Sequence, residues 1–396
     1  MTSSSFDPSL RPDTGRNDPA FEFRGSAAWI CAGESATAVP RGTSATLGAR
    51  LARAFDGAPE STIVAGALPF DLTEEDSFWV STSPRIGGLA GAAPSMAGWT
   101  IREMTPAAVY EAGVARALEI IAAGAGQPDG LQKLVLARRL EAMSDREIDR
   151  AALMDRLTAD PAATAFMLRL PERGQGPRYL AGASPELLME KRGDRIISHP
   201  LAGSSARSAD PHADAAARAS LAASSKDRHE HRHVVEFLLD TLAPLCHELR
   251  CPDGPEITST RALWHLGTRI EGRLRDPEEP SALLATRVHP TPAVCGVPQA
   301  RAAALIPELE DGPRGFYAGT VGWNDRRGDG SWYVTIRSAE IEGRVARLHA
   351  GAGLVLGSDP ETERRETATK FRTFLSALGL EGAELDTLVE TMEASR

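Results

Sequence analysis

Segments with a strand pattern and segments with a helix pattern follow one another irregularly in this chain, and this order limits the fold more than any other feature. Alternating apolar residues predict strands over residues 131–139, 165–170, 179–183, 187–190 and 195–199, and a hairpin over 332–339 and 344–350. Helical spacing predicts helices over 106–124, over about 213–242 with an interruption near 224, and from a capping box at 358–361 to Gly379, the last helix. Because the regular strand–helix–strand order of a parallel sheet is missing, we predict a mixed α+β fold.

The composition of the chain argues against several classes of protein. A formal net charge of −10 is unfavourable for a nucleic-acid or acidic-membrane partner, and no apolar run approaches the roughly 18–20 residues of a membrane span. No signal peptide is visible, and the four cysteines have neither metal-binding spacing nor a disulfide pattern. We therefore expect a cytoplasmic protein.

Two acidic clusters lie about 130 residues apart, each in a segment with helical spacing. Asp227 and Glu230 are three residues apart, as are Glu363 and Glu366. That spacing places both carboxylates on one face of a helix. Two such faces brought together would bind Mg²⁺, which prefers oxygen ligands. The alternative is that each pair belongs to a solvated helix face. The histidines at 229, 231 and 233 point in different directions and give no zinc pattern.

Two single charged residues stand in apolar surroundings, and the residues alone leave two interpretations open for each. Lys133 lies in an otherwise apolar strand segment. It either reaches solvent from an edge strand or is desolvated, which lowers the pKa of a lysine and lets it act as a general base. Glu186 lies between apolar strands and either caps a turn or is a carboxyl kept protonated by burial, able to donate a proton.

Further positions are suited to an anion. Arg337, at the end of a predicted strand, and Lys370, four residues after Glu366, could each bind a carboxylate, although Arg337 could equally form a structural salt bridge. Gly203 and Gly351 either belong to turns or let backbone N–H groups approach an oxyanion closely. A metal together with cations in one cleft predicts a small carboxylate substrate.

Eight segments occur in the order and spacing of the chorismate-utilising enzymes, and the chain most resembles the isochorismate synthases among them. The segments are SPELL at 184–188, PLAGS at 200–204, SKDRHEH at 225–231, LWHL at 263–266, HPTPA at 289–293, VTIR at 334–337, AGAG at 350–353 and ERRET at 363–367. The resemblance runs from about residue 131 to 380, and the first 125 residues carry no such motif. It implies one large domain, an α/β sandwich of two stacked, largely antiparallel sheets with helices outside. We assign residues 21–396 to this domain and residues 1–20, which lack periodicity, to a flexible N-terminal arm.

The resemblance also implies roles for individual residues. Glu230 and Glu366 match the direct Mg²⁺ ligands, and Asp227 and Glu363 match the acids that support them. Lys133 matches the base that activates water. The remaining matches are the general acid, Glu186, and the positions that contact chorismate, namely Gly203, Ala293, Tyr317, Arg337, Gly351 and Lys370.

The reaction implied is the reversible, Mg²⁺-dependent conversion of chorismate to isochorismate. Water adds at ring carbon 2, the ring double bonds shift, and the hydroxyl at carbon 4 leaves with a proton from Glu186. Family members that deliver nitrogen lack the lysine base, and those with a lysine nucleophile carry it where this chain has Ala202. We therefore expect water as the nucleophile, no glutamine amidotransferase subunit, and a monomer.

Other functions remain open from the sequence. A salicylate synthase would share the lysine base and go on to eliminate pyruvate. A metabolite-binding protein that had lost activity should lack one of Lys133, Glu186, Glu230 or Glu366, and none is missing. The wording of the segment at 225–231 favours synthesis of 2,3-dihydroxybenzoate for catecholate siderophores, with menaquinone synthesis as the alternative.

Overall fold

The computed structural model describes residues 19–25, 29–33, 35–86, 98–173 and 176–394. The predicted N-terminal arm, residues 1–20, lies outside the described residues except for its last two positions. Ala20 is buried, its N–H donates to the carbonyl of Ala32, and its own carbonyl accepts from the N–H of Arg169. Backbone pairing in the described chain therefore begins at Ala20.

The described residues form strands and helices in mixed order. The strands are β1 Phe21–Arg24, β2 Trp29–Ala32, β3 Thr37–Ala38, β4 Ile63–Leu68, β5 Ser77–Ser81, β6 Arg85–Ile86, β7 Trp99–Glu103, β8 Lys133–Ser144, β9 Thr164–Leu170, β10 Arg178–Ser184, β11 Leu187–Arg192, β12 Arg195–His199, β13 Leu201–Ala206, β14 Cys246–Arg250, β15 Pro255–Ser259, β16 Leu263–Thr268, β17 Ile270–Leu274, β18 Gly296–Val297, β19 Thr320–Asp325, β20 Gly330–Val334, β21 Ser338–Glu342 and β22 Val345–Val355. The helices are α1 Ser44–Phe55, α2 Ala107–Gly124, α3 Arg150–Leu157, α4 Pro211–Ala223, α5 Ser225–Leu242, α6 Ser281–Val288, α7 Gln299–Leu309, α8 Pro360–Leu378 and α9 Gly382–Ala394. None of these helices combines the length and apolar character that crossing a bilayer requires.

The strands form two large sheets and one small one. The first sheet has ten strands in the order β18-β8-β22-β21-β10-β9-β1-β2-β6, with β7 also paired to β8. The second sheet has nine strands in the order β14-β17-β12-β11-β20-β19-β4-β5-β3, and the small sheet is β13-β16-β15. All of these pairings are antiparallel. The pairing of β8 with β22 is the longest, and it runs from Lys133 opposite Val355 to Met143 opposite Val345.

The two large sheets face each other across a shared core. Phe21 and Phe23 of the first sheet pack in one cluster with Ala65 and Val321 of the second. Helices α3, α8 and α9 pack on the outer face of the first sheet, and α2 and α7 pack against β8 and β22. Helices α1, α5 and α6 pack with the second sheet. The prediction of an α+β sandwich with helices outside is confirmed.

Local signals explain the two helices that carry the acidic clusters. The side chain of Ser224 accepts a hydrogen bond from the N–H of Asp227 and so caps α5. This cap is the predicted interruption between α4 and α5. The side chain of Asp359 caps α8 in the same way, and Gly379 ends it with a left-handed backbone, φ 100°.

One element was not predicted, and two expectations differ from the structure. The small sheet was missed because its three strands are short and two of them, β13 and β15, are partly exposed. Helix α8 is not the last helix, since α9 follows it. The predicted strand over 332–339 is broken between β20 and β21, and Arg337 lies in that break with a positive φ of 52°.

Candidate active site

Nine of the twelve predicted site residues line one pocket. Its space, including the open mouth, is about 620 Å³. The nine residues are Glu186, Gly203, Glu230, Ala293, Tyr317, Arg337, Gly351, Glu366 and Lys370. The other three, Lys133, Asp227 and Glu363, lie directly behind this wall and interact with residues that belong to it.

Helices α5 and α8 bring the two acidic clusters together, as their spacing predicted. A β-carbon added at Gly203 would lie 2.9 Å from the β-carbon of Asp227, so β13 passes directly against the first cluster. The hydroxyl of Ser204, also on β13, donates to Glu366 Oε1 over 3.3 Å. The strand therefore lies between the helices and touches both clusters.

Three of the four acids are paired with lysines. Nζ of Lys133 lies 3.0 Å from Glu230 Oε1, and Nζ of Lys226 lies 2.7 Å from Glu363 Oε1. Lys370 forms an ion pair with Glu366 and donates a second hydrogen bond to the carbonyl of Gly351, 2.9 Å away. Lysine ammonium groups thus supply the positive charge beside the clusters.

The pKa values show how strongly these charges interact. Burial raises the pKa of Asp227, and the nearby Glu230 carboxylate raises it further. Burial and the charge of Glu366 likewise raise the pKa of Glu363. Burial alone would raise the pKa of Glu366, but Lys370 holds it below its ordinary value. The acids are therefore close enough to repel one another.

The side-chain oxygens of the two acidic clusters are suitable ligands for a hard divalent cation. They are all carboxylate oxygens, and Oε2 of Glu363 is buried without a hydrogen-bond partner in the described part of the chain. No three Asp, Glu, His or Cys side chains among the described residues converge in the manner of a metal site. Because lysines pair with three of the four carboxylates, a metal that bound them would have to compete with those lysines.

Lys133 is the first residue of β8, and its side chain is fully buried. Its Nζ is close to Glu230 but makes no hydrogen bond with a described residue. Gly353 on the paired strand β22 makes this approach possible. A β-carbon at Gly353 would lie 2.1 Å from Glu230 Oε1 and 3.3 Å from Cε of Lys133.

Glu186 lies between β10 and β11 and is 3% exposed. Burial raises its pKa to about 7, although the charges of Lys133, Arg337 and Lys370 and a hydrogen bond from the Leu201 backbone oppose this shift. Its Oε1 has no hydrogen-bond partner in the described residues. A carboxyl with this pKa can give and accept a proton near neutral pH.

The opposite wall carries the guanidinium of Arg337. The sequence placed Arg337 at the end of a predicted strand, which is wrong, because the strand ends at Val334 and the chain turns at Arg337 with φ 52°. A positive φ is costly for a residue with a side chain. The turn points the side chain into the pocket, where it lies among Tyr317, Glu366 and Glu186.

Sequence reasoning missed a buried ion pair behind the pocket wall. Arg314 binds Glu310 at 2.5 Å, and their side chains are 3% and 5% exposed. Arg314 also donates to the carbonyls of Val294, at 2.6 Å, and Val135, at 2.8 Å, both of which line the pocket. Glu310 accepts from the N–H of Ala137 at 2.8 Å. The pair therefore joins β8 to the segment that carries Ala293.

Two further residues received no role from the sequence. His265 lines the pocket, and burial lowers its pKa well below the ordinary value, so it is neutral. Lys226 holds Glu363. The sequence held a signal for each: His265 belongs to the LWHL segment, and Lys226 directly precedes Asp227.

Comparison with known proteins agrees with this fold. A family model described as chorismate binding enzyme matches residues 92–379. The chain therefore belongs to the chorismate-binding enzymes. Several relatives are named as isochorismate synthases, so the predicted resemblance is confirmed.

Three of these relatives illustrate the similarity. A protein of Mycobacterium tuberculosis, provisionally named isochorismate synthase MenF, is 44% identical over 86% of this chain and 95% of its own. The isochorismate synthase DhbC of Bacillus subtilis is 40% identical over 85% of this chain and 86% of its own. The crystal structure of a protein of Bacillus anthracis, provisionally described as the 2,3-dihydroxybenzoate-specific isochorismate synthase DhbC, is 38% identical, with a TM-score of 0.85 over 92% of this chain and 97% of that one.

Proposed function

We propose that the chain is an isomerase that interconverts chorismate and isochorismate. One water molecule adds at ring carbon 2, the ring double bonds shift, and the hydroxyl at carbon 4 leaves as water, so the atoms balance. The observation that carries the proposal is the pocket, which is lined by a buried carboxyl with a pKa of about 7, while a buried lysine whose charge acts on that carboxyl lies behind the wall beside the acidic clusters. The names of the relatives support the same reaction.

Each half of the reaction has a candidate group in the chain. Lys133 would take the proton from the attacking water, since its Nζ is free of hydrogen bonds among the described residues. Glu186 would protonate the departing hydroxyl. Arg337 would bind a substrate carboxylate with its planar guanidinium.

Glu230 and Glu366 would hold Mg²⁺, supported by Asp227 and Glu363. The bound ion would supply positive charge that holds and polarises the ring carboxylate. We expect a chelator to abolish turnover, and we expect Glu230→Ala and Glu366→Ala enzymes to stay inactive at ordinary Mg²⁺ concentrations. Mn²⁺ should substitute, because it shares the preference for oxygen ligands. Full activity in excess chelator would refute the metal assignment.

The identity of the product tests the reaction. Purified protein, chorismate and Mg²⁺ should give isochorismate, and isochorismate should give chorismate, as measured by chromatography in each direction. Salicylate and pyruvate as the main products near neutral pH would instead identify a salicylate synthase.

We assign the product to synthesis of 2,3-dihydroxybenzoate for siderophores. The support is the similarity to a structure described as 2,3-dihydroxybenzoate-specific and to the vibriobactin-specific isochorismate synthase of Vibrio cholerae, which is 39% identical. The similarity to MenF of Mycobacterium tuberculosis favours menaquinone synthesis as the second candidate. Deletion of the gene should cause a growth defect that 2,3-dihydroxybenzoate relieves under iron limitation. Relief by a menaquinone precursor alone would favour the second pathway.

A further inference from the structure

Lysine is rare in this chain and unevenly used. Among 44 Lys and Arg residues only four are lysines, namely Lys133, Lys191, Lys226 and Lys370. Three of these pair with acids of the two clusters, whereas Lys191 pairs with Asp329. Among the ion pairs of the described residues, none joins an arginine to Asp227, Glu230, Glu363 or Glu366. Three of the four lysines of this chain therefore lie at the candidate metal site.

The two cations hold a carboxylate differently. Arginine presents a planar fork that binds both carboxylate oxygens, whereas lysine is a point charge on a flexible stem. A lysine therefore neutralises a buried acid through one contact and can leave it by rotation of its own side chain. Such a contact suits an acid that must exchange partners.

Lys226 is the lysine best placed to leave. Its side chain is 36% exposed, whereas that of Glu363 is 1% exposed. The structure gives Lys226 one hydrogen bond, to Glu363, and it does not line the pocket. Lys133, in contrast, is fully buried, and Lys370 is also held by the carbonyl of Gly351. Lys226 can thus reach solvent without leaving its charge buried.

We propose that Lys226 is a displaceable counter-ion that competes with the divalent cation for Glu363. The inference rests on the proposed function for the presence of that cation. Without metal, the ammonium neutralises Glu363 beside Glu366. When the metal binds, the lysine swings into solvent, and the metal takes over the neutralisation. Lys226 therefore lowers the affinity of the site for metal.

Direct binding of Mn²⁺ to the full-length protein without chorismate tests this, with free Mn²⁺ measured by electron paramagnetic resonance. Lys226→Gln removes the competitor and should lower the Kd at least about fivefold. Lys226→Arg keeps the charge but grips Glu363 with two donors, and should raise the Kd by a similar factor. Lys191→Gln is the matched control. It breaks the ion pair between Lys191 and Asp329, whose N–O distance is 3.1 Å and which does not involve the acidic clusters. It should leave the Kd within twofold.

Melting temperature gives a second readout. Metal-free Lys226→Gln protein should melt below wild type, because the buried Glu363 then lacks its counter-charge. Its rise in melting temperature on adding Mn²⁺ should exceed that of wild type, since tighter ligands stabilise more. A purely structural role would lower melting equally with and without Mn²⁺.

The outcomes separate this inference from the proposed reaction. An unchanged or weaker Mn²⁺ affinity in Lys226→Gln would overturn the counter-ion role even if isochorismate is produced. Opposite shifts in Lys226→Gln and Lys226→Arg would sustain it even if the product proved to be salicylate. A wild-type protein that binds no Mn²⁺ would refute both the metal assignment and the counter-ion role.

Discussion

Lys133 and Glu186 are both buried, yet the chain holds them in different ways. Lys133 begins the longest strand pairing in the described fold and faces a carboxylate 3.0 Å away. Glu186 sits in a connection between strands, where desolvation dominates and raises its pKa to about 7. A base next to an acid of near-neutral pKa can pass protons in either direction, which suits a reversible hydration and dehydration.

Replacing the base should stop chemistry and spare binding. In Lys133→Ala, Arg337 and the acid clusters remain, so chorismate should still bind. The turnover number should fall by about 10²–10⁴, the usual contribution of a general base. Steady-state kinetics and calorimetric titration with chorismate measure the two effects separately. Near-native turnover would mean that another group activates water.

Glu186 should produce an ionisation near pH 7 in the rate profile. The reactive state holds one proton between Lys133 and Glu186, whichever of them carries it. The positive charge of Lys133 acts on the Glu186 carboxylate, so a proton that enters on Glu186 as the pH falls is the second proton of the pair. The kcat/KM should therefore fall as pH falls through about 7, equally in both directions of the reaction. A kcat/KM that instead falls as pH rises through about 7 would contradict this prediction.

The same residue can be tested without changing the pH. Glu186→Gln keeps the size of the side chain but cannot transfer a proton. It should slow both directions alike and remove the ionisation near pH 7 from the profile. A variant as fast as wild type would exclude Glu186 as the acid.

At the scale of elements, strand β22 leaves space for the side chains of the active site. Gly351 and Gly353 lie two residues apart and so face the same side of the sheet. A β-carbon at Gly351 would lie 3.0 Å from the hydroxyl of Tyr317. These two glycines leave room for the side chains that reach across from α5 and from the opposite wall.

Gly353→Ala should therefore damage the site more than the fold. The added methyl would lie 2.1 Å from Glu230 Oε1 and would push this carboxylate away from Lys133. We expect a loss of about 100-fold in kcat/KM, the effect of displacing a catalytic group by about 1 Å. Gly48→Ala is the control, because its methyl would meet Leu283 at an ordinary 3.4 Å. Equal activity of the two variants would contradict the prediction.

Two ion pairs offer a matched test of burial. Glu310–Arg314 and Glu361–Arg365 share the same spacing and the same 2.5 Å separation, but the side chains of the first are 5% and 3% exposed and those of the second 58% and 57%. Glu310→Gln leaves a buried guanidinium without its charge partner and should cost about 3–5 kcal/mol of stability. Glu361→Gln should cost about 0–1 kcal/mol. Thermal unfolding of the two variants measures the difference.

Periodicity predicted part of this arrangement and contacts determined the rest. Residues three apart on a helix lie on one face. Asp227 could therefore be paired with Glu230, and Glu363 with Glu366, from the sequence alone. The position of Arg337 could not, because period-two alternation continued through residue 337 while the backbone turned. The partnership of Glu310 with Arg314 and β8 also depends on distant chain segments, which no local pattern encodes.

At the scale of the whole molecule, the sandwich leaves little apolar surface. In the described part of the chain, the large exposed apolar side chains are Val109, Met143 and Leu356, which lie on α2, on β8 and just after β22. Lone apolar residues at a surface are ordinary, whereas stable interfaces need a contiguous patch.

We therefore predict that the protein is a monomer. Separately, we predict that water is the nucleophile, as argued from the sequence. Sedimentation equilibrium should give the mass of one 396-residue chain, and added glutamine or ammonia should leave the product unchanged. A concentration-dependent dimer would show that a second copy covers part of the surface. An aminated product would show that the pocket accepts nitrogen as nucleophile.

The pairing of Lys133 with Val355 also determines how early the active site can fold during translation. The two residues are more than 200 positions apart. At about 5–20 residues per second, a ribosome needs roughly ten to forty seconds to add the second strand after the first. Until then the edge of β8 that pairs with β22 stays open, and the nascent chain exposes its unpaired backbone groups to chaperones and proteases. The active site is thus among the last parts of the newborn chain to form.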